Sequence, residues 1–297
     1  MFYWHDRRDL PQGNLERCFT DSLSGVSEAP FSALNLGLHV GDDEAHVREN
    51  RDLLSAELGG VPIAWMNQVH SAVVATAQAG DVPTADALVL DSRTGGAPAG
   101  CCVLVADCVP VLLASRDGAL TAAVHAGRRG MLDGVVPATI DFLRRSGVEP
   151  VDLWAAVGPS ICGSCYEVPE EMLALSAQRE PACASRTSWG TPGLDVAAGV
   201  LAQLERAPDG LTMRELSQRL MVTGGTAGRS GVAGTLGEAL IGVLDENNEL
   251  KLLPMSESWF DSYDFPRYYR YEGDSVSEKE KGTGGADATG SYRGKGG

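Results

Sequence analysis

The sequence predicts a mixed α/β fold, a single domain with a central mixed sheet and flanking helices, over residues 1–205. Three observations carry this reading. Short apolar runs rich in β-branched residues recur at Val73–Thr76, Ala87–Leu90, Cys102–Val105 and Leu120–Val124, each bounded by Gly, Pro or Asp as strands are. Stretches of helical periodicity lie between them. A hydrophobic fraction of 43% is enough to build a packed core.

The helices follow from spacing and stop signals. Asp43–Leu58 sets Val47, Leu54 and Leu58 on one face and stops at Gly59-Gly60. Val135–Arg145 follows a glycine and ends at Ser146-Gly147. Its last turn carries arginines, where the negative end of the helix dipole favours cations. Asp195–Leu204 is a third helix. The chain contains no internal repeat.

Beyond Glu205 the character changes, and residues 206–274 form a divergent segment. Thr212 is a helix N-cap with Glu215 three residues on, a capping box. The stretch 209–225 resembles the early helices of MarR-type winged-helix regulators, without a recognition helix or basic wing. Thr223–Gly237 is Gly-rich and aperiodic. Residues 275–297 are Gly, Ser, Lys and Glu with almost no apolar side chain, a composition expected to stay disordered.

Charge and composition exclude several functions. The net charge of −16 repels a nucleic-acid backbone, and Arg128-Arg129 is too short a basic cluster to offset it. No apolar run reaches the roughly 18 residues of a membrane helix. Met1–Asp9 lacks the basic-then-apolar pattern of a signal peptide. Seven cysteines, unevenly spaced, do not suit a secreted disulfide framework, so a cytoplasmic protein is expected.

Metal-capable side chains concentrate in three segments: Asn67-Gln68-Val69-His70, Ala106-Asp107-Cys108-Val109-Pro110, and Ala123 to Gly130 around His125. Each adjoins an apolar run, so His70, Cys108 and His125 are expected at strand ends or the loops after them, where α/β proteins build sites. Two imidazoles and a thiolate suit zinc and leave a fourth position open for catalysis. From residue types alone each has a plainer reading, a packed histidine or a small buried thiol. The separations of 38 and 17 residues obey no local ligand rule.

In order, these three segments resemble the hallmark motifs of the laccase-domain (multicopper polyphenol oxidase-like) family of zinc-dependent purine nucleoside phosphorylases. Asn35–Asp42 with Glu49-Asn50-Arg51, and Val157–Ile161 with Cys165–Val168, are similar to two further motifs. The resemblance spans about residues 15–205. It implies zinc on His70, Cys108 and His125, with copper as the alternative metal. It implies purine nucleosides and phosphate as substrates, with adenosine deamination as a side activity. A monomer or homodimer is expected. Phosphorolysis calls for a cation on phosphate, and Arg129, in the turn after His125, supplies a planar fork. Arg128 stands where the family carries an aromatic residue, and its role is open. Asp107 is the candidate base or ligand-orienting carboxylate. Gln68 and Asn35 are candidate contacts to ribose or base, with turn-capping as their alternative. Cys162-Gly163-Ser164-Cys165 is a lone CxxC pair without the second half of a zinc ribbon, and reads as structural.

The sequence departs from the family pattern where Ser22 replaces an arginine and Ser24 a glycine. Pro266–Asp274 only faintly resembles the family's arginine-rich terminal segment. These departures define a second hypothesis, a zinc- or nucleoside-binding homologue without turnover. A copper polyphenol oxidase comes third, because multicopper sites need many histidines and the chain has five.

Overall fold

The computed structural model describes residues 1–11, 13–76, 81–94 and 100–207, with the backbone of 240–244 and 250–254. In chain order, a hairpin of β1 (Phe2–Leu10) and β2 (Gly13–Thr20) leads through a long loop to α1 (Glu44–Glu57) and the short β3 (Ile63–Ala64). Then come β4 (Val74–Thr76), β5 (Ala87–Asp91), β6 (Gly100–Cys101), β7 (Val109–Ser115) and β8 (Leu120–Ala126). The helices α2 (Arg128–Asp133) and α3 (Val135–Arg145) follow, then β9 (Leu153–Val157) and α4 (Glu170–Arg179). The core ends with β10 (Ala184–Arg186), β11 (Pro192–Leu194) and α5 (Val196–Glu205). Further on, β12 (Leu240–Leu244) and β13 (Leu250–Pro254) pair antiparallel.

Five strands form the central mixed sheet in the order β4-β5-β8-β7-β9. β4 and β5 are parallel, and the remaining neighbours are antiparallel. Its middle strands are buried on both faces, which is why they read as unbroken apolar runs rather than as alternation. One face, carrying Val89, Val111, Leu113 and Val124, packs on Met131, Val136, Ile140 and Leu143 of α2 and α3 and on Val196, Val200 and Leu204 of α5. On the other face Leu88 and Leu90 meet Ala64 and Met66, and Ala114 and Trp154 meet Leu15 of the β1–β2 hairpin.

The three expected helices form within a residue of their predicted ends, and the caps explain why. Asp43 accepts from the Ala45 N–H at 2.8 Å and starts α1, while Asp195 does the same for Ala198 at 2.8 Å in α5. Inside α1, Asn50 is fully buried and ties the 22–35 loop to the helix. Its amide donates to Ser27 Oγ and to the carbonyls of Ala33 and Asn35, and its oxygen accepts from the Val26 N–H.

The expected strand at Cys102–Val105 is a correction. Ladder pairing stops at Gly100–Cys101, where β6 runs parallel to β3. The reason is a side chain. Gln68 Nε2 donates to the Leu104 carbonyl at 2.7 Å while the Leu104 N–H donates to Gln68 Oε1 at 2.8 Å. An amide thus takes the place of a partner strand, and 102–105 becomes a tethered loop. The expectations for 209–225, 223–237 and 275–297 lie outside the described residues. Among the described residues, no helix is long and apolar enough to cross a membrane.

Candidate metal centre

β8 carries the centre, between β7 on one side and β5 on the other. The β7–β8 hairpin registers Val109 with Ala126 and Pro110 with His125, so Cys108, just before β7, lies across from the end of β8. The 17-residue gap between Cys108 and His125 is therefore one β-hairpin. On the opposite side, Ala87 pairs with Val124, and the His125 N–H donates to the Asp86 carbonyl at 2.8 Å. His70 comes from the loop before β4.

One ligand atom each from His70, Cys108 and His125 lie within 4.8 Å of one another. His70 Nε2 is 3.7 Å from Cys108 Sγ, and the two imidazoles meet edge to face with centroids 4.6 Å apart. A tetrahedral zinc with Zn–N near 2.0–2.1 Å and Zn–S near 2.3 Å sets its N and S ligands about 3.6 Å apart. The donors fit one such ion.

The sequence reading missed the residue that organises this set. Asp86 is fully buried, just ahead of β5. Its Oδ1 accepts from His125 Nδ1 at 2.8 Å and from the His70 N–H at 2.9 Å. Its Oδ2 accepts from the N–H and Oγ of Ser71, at 2.6 and 2.7 Å. One carboxylate thereby fixes the tautomer of His125, leaving Nε2 free for a metal, and holds the loop that carries His70. That loop is under strain, with His70 the one non-glycine among the described residues at positive φ, +60°. Burial alone raises the pKa of Asp86. Hydrogen bonds from His125, Ser71 and His70 outweigh it and hold the carboxyl below its ordinary value. The only signal in sequence was an aspartate at a strand boundary, which looks like any strand stop.

Electrostatics favour a cation here. Burial, reinforced by the charges of Asp107 and Asp86, pushes the Cys108 thiol up to about 11. Burial also lowers the pKa of His125, against the pull of Asp86, and His70 adds to the lowering. The imidazole is thus neutral, with a lone pair to give. Space is reserved as well. A Cβ on Gly127 would lie 2.6 Å from His70 Cδ2 and 3.0 Å from Cys108 Sγ, so the residue after Ala126 has to be glycine for the donors to converge.

The centre opens on a cavity of about 2670 Å³, larger than a single ligand needs, whose lining includes Asn35, Gln68, His70, Asp107, Cys108, His125 and Ser160. Asp107 is exposed beside Cys108, and its carbonyl accepts from the Ile161 N–H at 3.0 Å. Asn35 Oδ1 accepts from the Gly37 N–H at 3.0 Å and its amide donates to Asp42 at 2.9 Å, which is the turn-capping alternative. Gln68 spends its amide on Leu104. Arg129 is exposed on α2 and lies outside the cavity lining. Arg128, which sequence left open, lies near enough to Tyr166 for its charge to act on the phenol. That phenol is raised by burial first, with Arg128 opposing the shift and Cys108 and Asp107 adding to it.

The sequence profile described as multi-copper polyphenol oxidoreductase laccase matches residues 16–223. The chain belongs to this family. Among its relatives, a purine nucleoside phosphorylase of Streptomyces coelicolor is 53% identical over 194 residues, covering 63% of this chain and 78% of the relative. A purine nucleoside phosphorylase of Streptomyces griseus is 46% identical over 212 residues, covering 69% and 84%. The crystal structure of a Neisseria meningitidis protein superposes with a TM-score of 0.59 at 33% identity, covering 69% of this chain and 83% of the other. YlmD from Geobacillus stearothermophilus gives 0.59 at 29% identity, covering 65% and 77%. Both solved structures share this mixed α/β fold. All five motifs that carried the resemblance lie inside the matched span.

Proposed function

We propose that the chain is a zinc-dependent purine nucleoside phosphorylase, built on residues 1–205, that converts adenosine, inosine or guanosine and phosphate to the free base and ribose 1-phosphate. The observation that carries this reading is the His70–Cys108–His125 set, its donors within 4.8 Å and opening on a cavity. Relatives at up to 53% identity that bear this activity in their names supply the substrate class. Two imidazoles and a thiolate favour zinc over copper, and five histidines in 297 residues do not supply a multicopper cluster. Seven cysteines, an odd number at uneven spacing, agree with a reducing compartment, the cytoplasm.

Phosphorolysis breaks the C1′–N bond and forms a C1′–O bond to phosphate, and the departing base takes a proton. When bound, zinc supplies Lewis acidity toward a polar atom of the substrate. The residues of this chain do the rest. Asp86 keeps His125 in one tautomer and His70 in its strained turn, so that neither reorganises during turnover. Asp107, exposed at the cavity wall, holds or moves a proton at its carboxylate. Arg129 contributes a guanidinium to the phosphate from the exposed face of α2. Gln68 and Asn35 act by fixing the loops that wall the cavity, Gln68 by clamping Leu104 beside the Asp107–Cys108 segment. Products of adenosine with and without phosphate test this assignment. Phosphate-dependent adenine and ribose 1-phosphate support it, inosine marks deamination, and no product from zinc-loaded protein means a binding homologue.

A further inference from the structure

Cys162 and Cys165 lie outside the metal set, and the function proposed above does not use them. The Cys165 N–H donates to the Cys162 carbonyl at 3.0 Å and the Tyr166 N–H to the same oxygen at 3.1 Å, closing a tight turn. Such a turn keeps its end Cα atoms under roughly 7 Å, within the span a disulfide bridges. Both residues are half-buried, hence reachable.

The turn is braced from behind. A Cβ on Gly163 would meet Asp195 Cβ and Ser185 Oγ at 2.7 Å, so the turn is seated directly on the strand and cap of the next segment. The Ser188 N–H donates to the Ser164 carbonyl at 2.9 Å, holding the turn's other peptide. The two sulfurs are therefore presented by a fixed scaffold.

We propose that Cys162 and Cys165 form a dithiol modification site that takes up oxidising equivalents from small-molecule disulfides by thiol–disulfide exchange. The Cys162 thiolate attacks one sulfur of the disulfide RSSR, forming a mixed disulfide and releasing RS⁻. Cys165 then gives up its proton and attacks the Cys162 sulfur, forming the intrachain disulfide and releasing the second RS⁻. Both thiolates leave as RSH at neutral pH, so two protein thiols are oxidised and one RSSR is reduced.

The other cysteines are unsuited to this chemistry. Burial pushes the thiols of Cys18 and Cys102 up to about 12 and those of Cys101 and Cys183 up to about 11. Cys162 moves the other way, to about 6, chiefly through the hydrogen bond from Cys165.

The test exposes the zinc-loaded full chain to oxidised glutathione, quenches it by alkylation and digests it with trypsin. No Lys or Arg lies between Arg145 and Arg179, and the resulting peptide holds Cys162 and Cys165 and no other cysteine. We expect it to lose two hydrogen atoms in mass, reversibly with dithiothreitol, while C165S stalls as a glutathione adduct on Cys162. A native chain whose peptide stays dithiol, while the guanidine-unfolded chain oxidises, overturns the proposal. So does a persistent glutathione adduct in the native chain, or equal oxidation at Cys18, Cys101, Cys102 or Cys183. The wild-type measurement decides by itself if C165S fails to fold.

Discussion

Asp86 Oδ1 stands 2.8 Å from His125 Nδ1, both side chains buried, and the same oxygen receives the His70 N–H at 2.9 Å. Two candidate ligands from segments 55 residues apart are thus oriented by one carboxylate. Asp86→Asn should cost roughly 10–100-fold in zinc affinity, the usual effect of losing a carboxylate behind a ligating histidine. Competition with a chromophoric chelator measures it. Unchanged affinity in a folded Asn variant would remove Asp86 from the metal site.

Gly127 gives a steric test of the same centre. In Gly127→Ala the new methyl group meets His70 and Cys108 at 2.6 and 3.0 Å, with the backbone at an ordinary negative φ of −70°. The folded spectrum should survive and stoichiometric metal binding should not. Circular dichroism and metal analysis on one sample separate the two. Full zinc occupancy in the alanine variant contradicts convergence of the donors on this point.

Arg129 carries the phosphate assignment. Charge-assisted hydrogen bonds contribute about 1.5–3 kcal/mol, so Arg129→Gln should raise KM for phosphate on the order of 10- to 100-fold. Zinc content should stay the same, because Arg129 is not one of the His70, Cys108 and His125 donors. A phosphate KM within twofold of wild type would pass the role to another cation.

The Cys162 thiol predicts a pH profile. Its hydrogen bond from Cys165 stabilises the thiolate and brings the pKa to about 6 from the ordinary 9.0. The thiolate is the reactive form, so iodoacetamide labelling should rise as pH passes through about 6 and level off by neutrality. In Cys165→Ala the hydrogen bond is gone and the rise should shift toward pH 9. Rates read from the tryptic peptide decide it, and a wild-type profile rising only near pH 9 goes against the hydrogen-bonded pair.

The sequence exposed the pieces that obey local rules. Asp43 and Asp195 cap the helices they precede, and the buried runs at Ala87 and Leu120 become central strands, because caps and apolar runs are local signals. β7 was hidden by Pro110 near its start, and β1 by its polar and aromatic composition. Leu104 went the other way. An apolar run was drawn off the ladder by Gln68, a partner 36 residues distant. For the site, His70, Cys108 and His125 stood out through ordered motifs and not through spacing, since the spacing records a hairpin register. Asp86 and Gly127 were visible as residues but not as to role: one acts through bonds across strands, the other through the absence of a Cβ.

Metal-dependent phosphorolysis is the reaction assigned to this site. Its most direct test follows inosine and phosphate together, using zinc-loaded, chelator-stripped and zinc-restored protein beside His125→Ala. Equimolar loss of phosphate and gain of hypoxanthine are expected in the loaded and restored samples, and neither in the stripped sample or the variant. Hypoxanthine release that ignores phosphate, or that persists without metal, would contradict it.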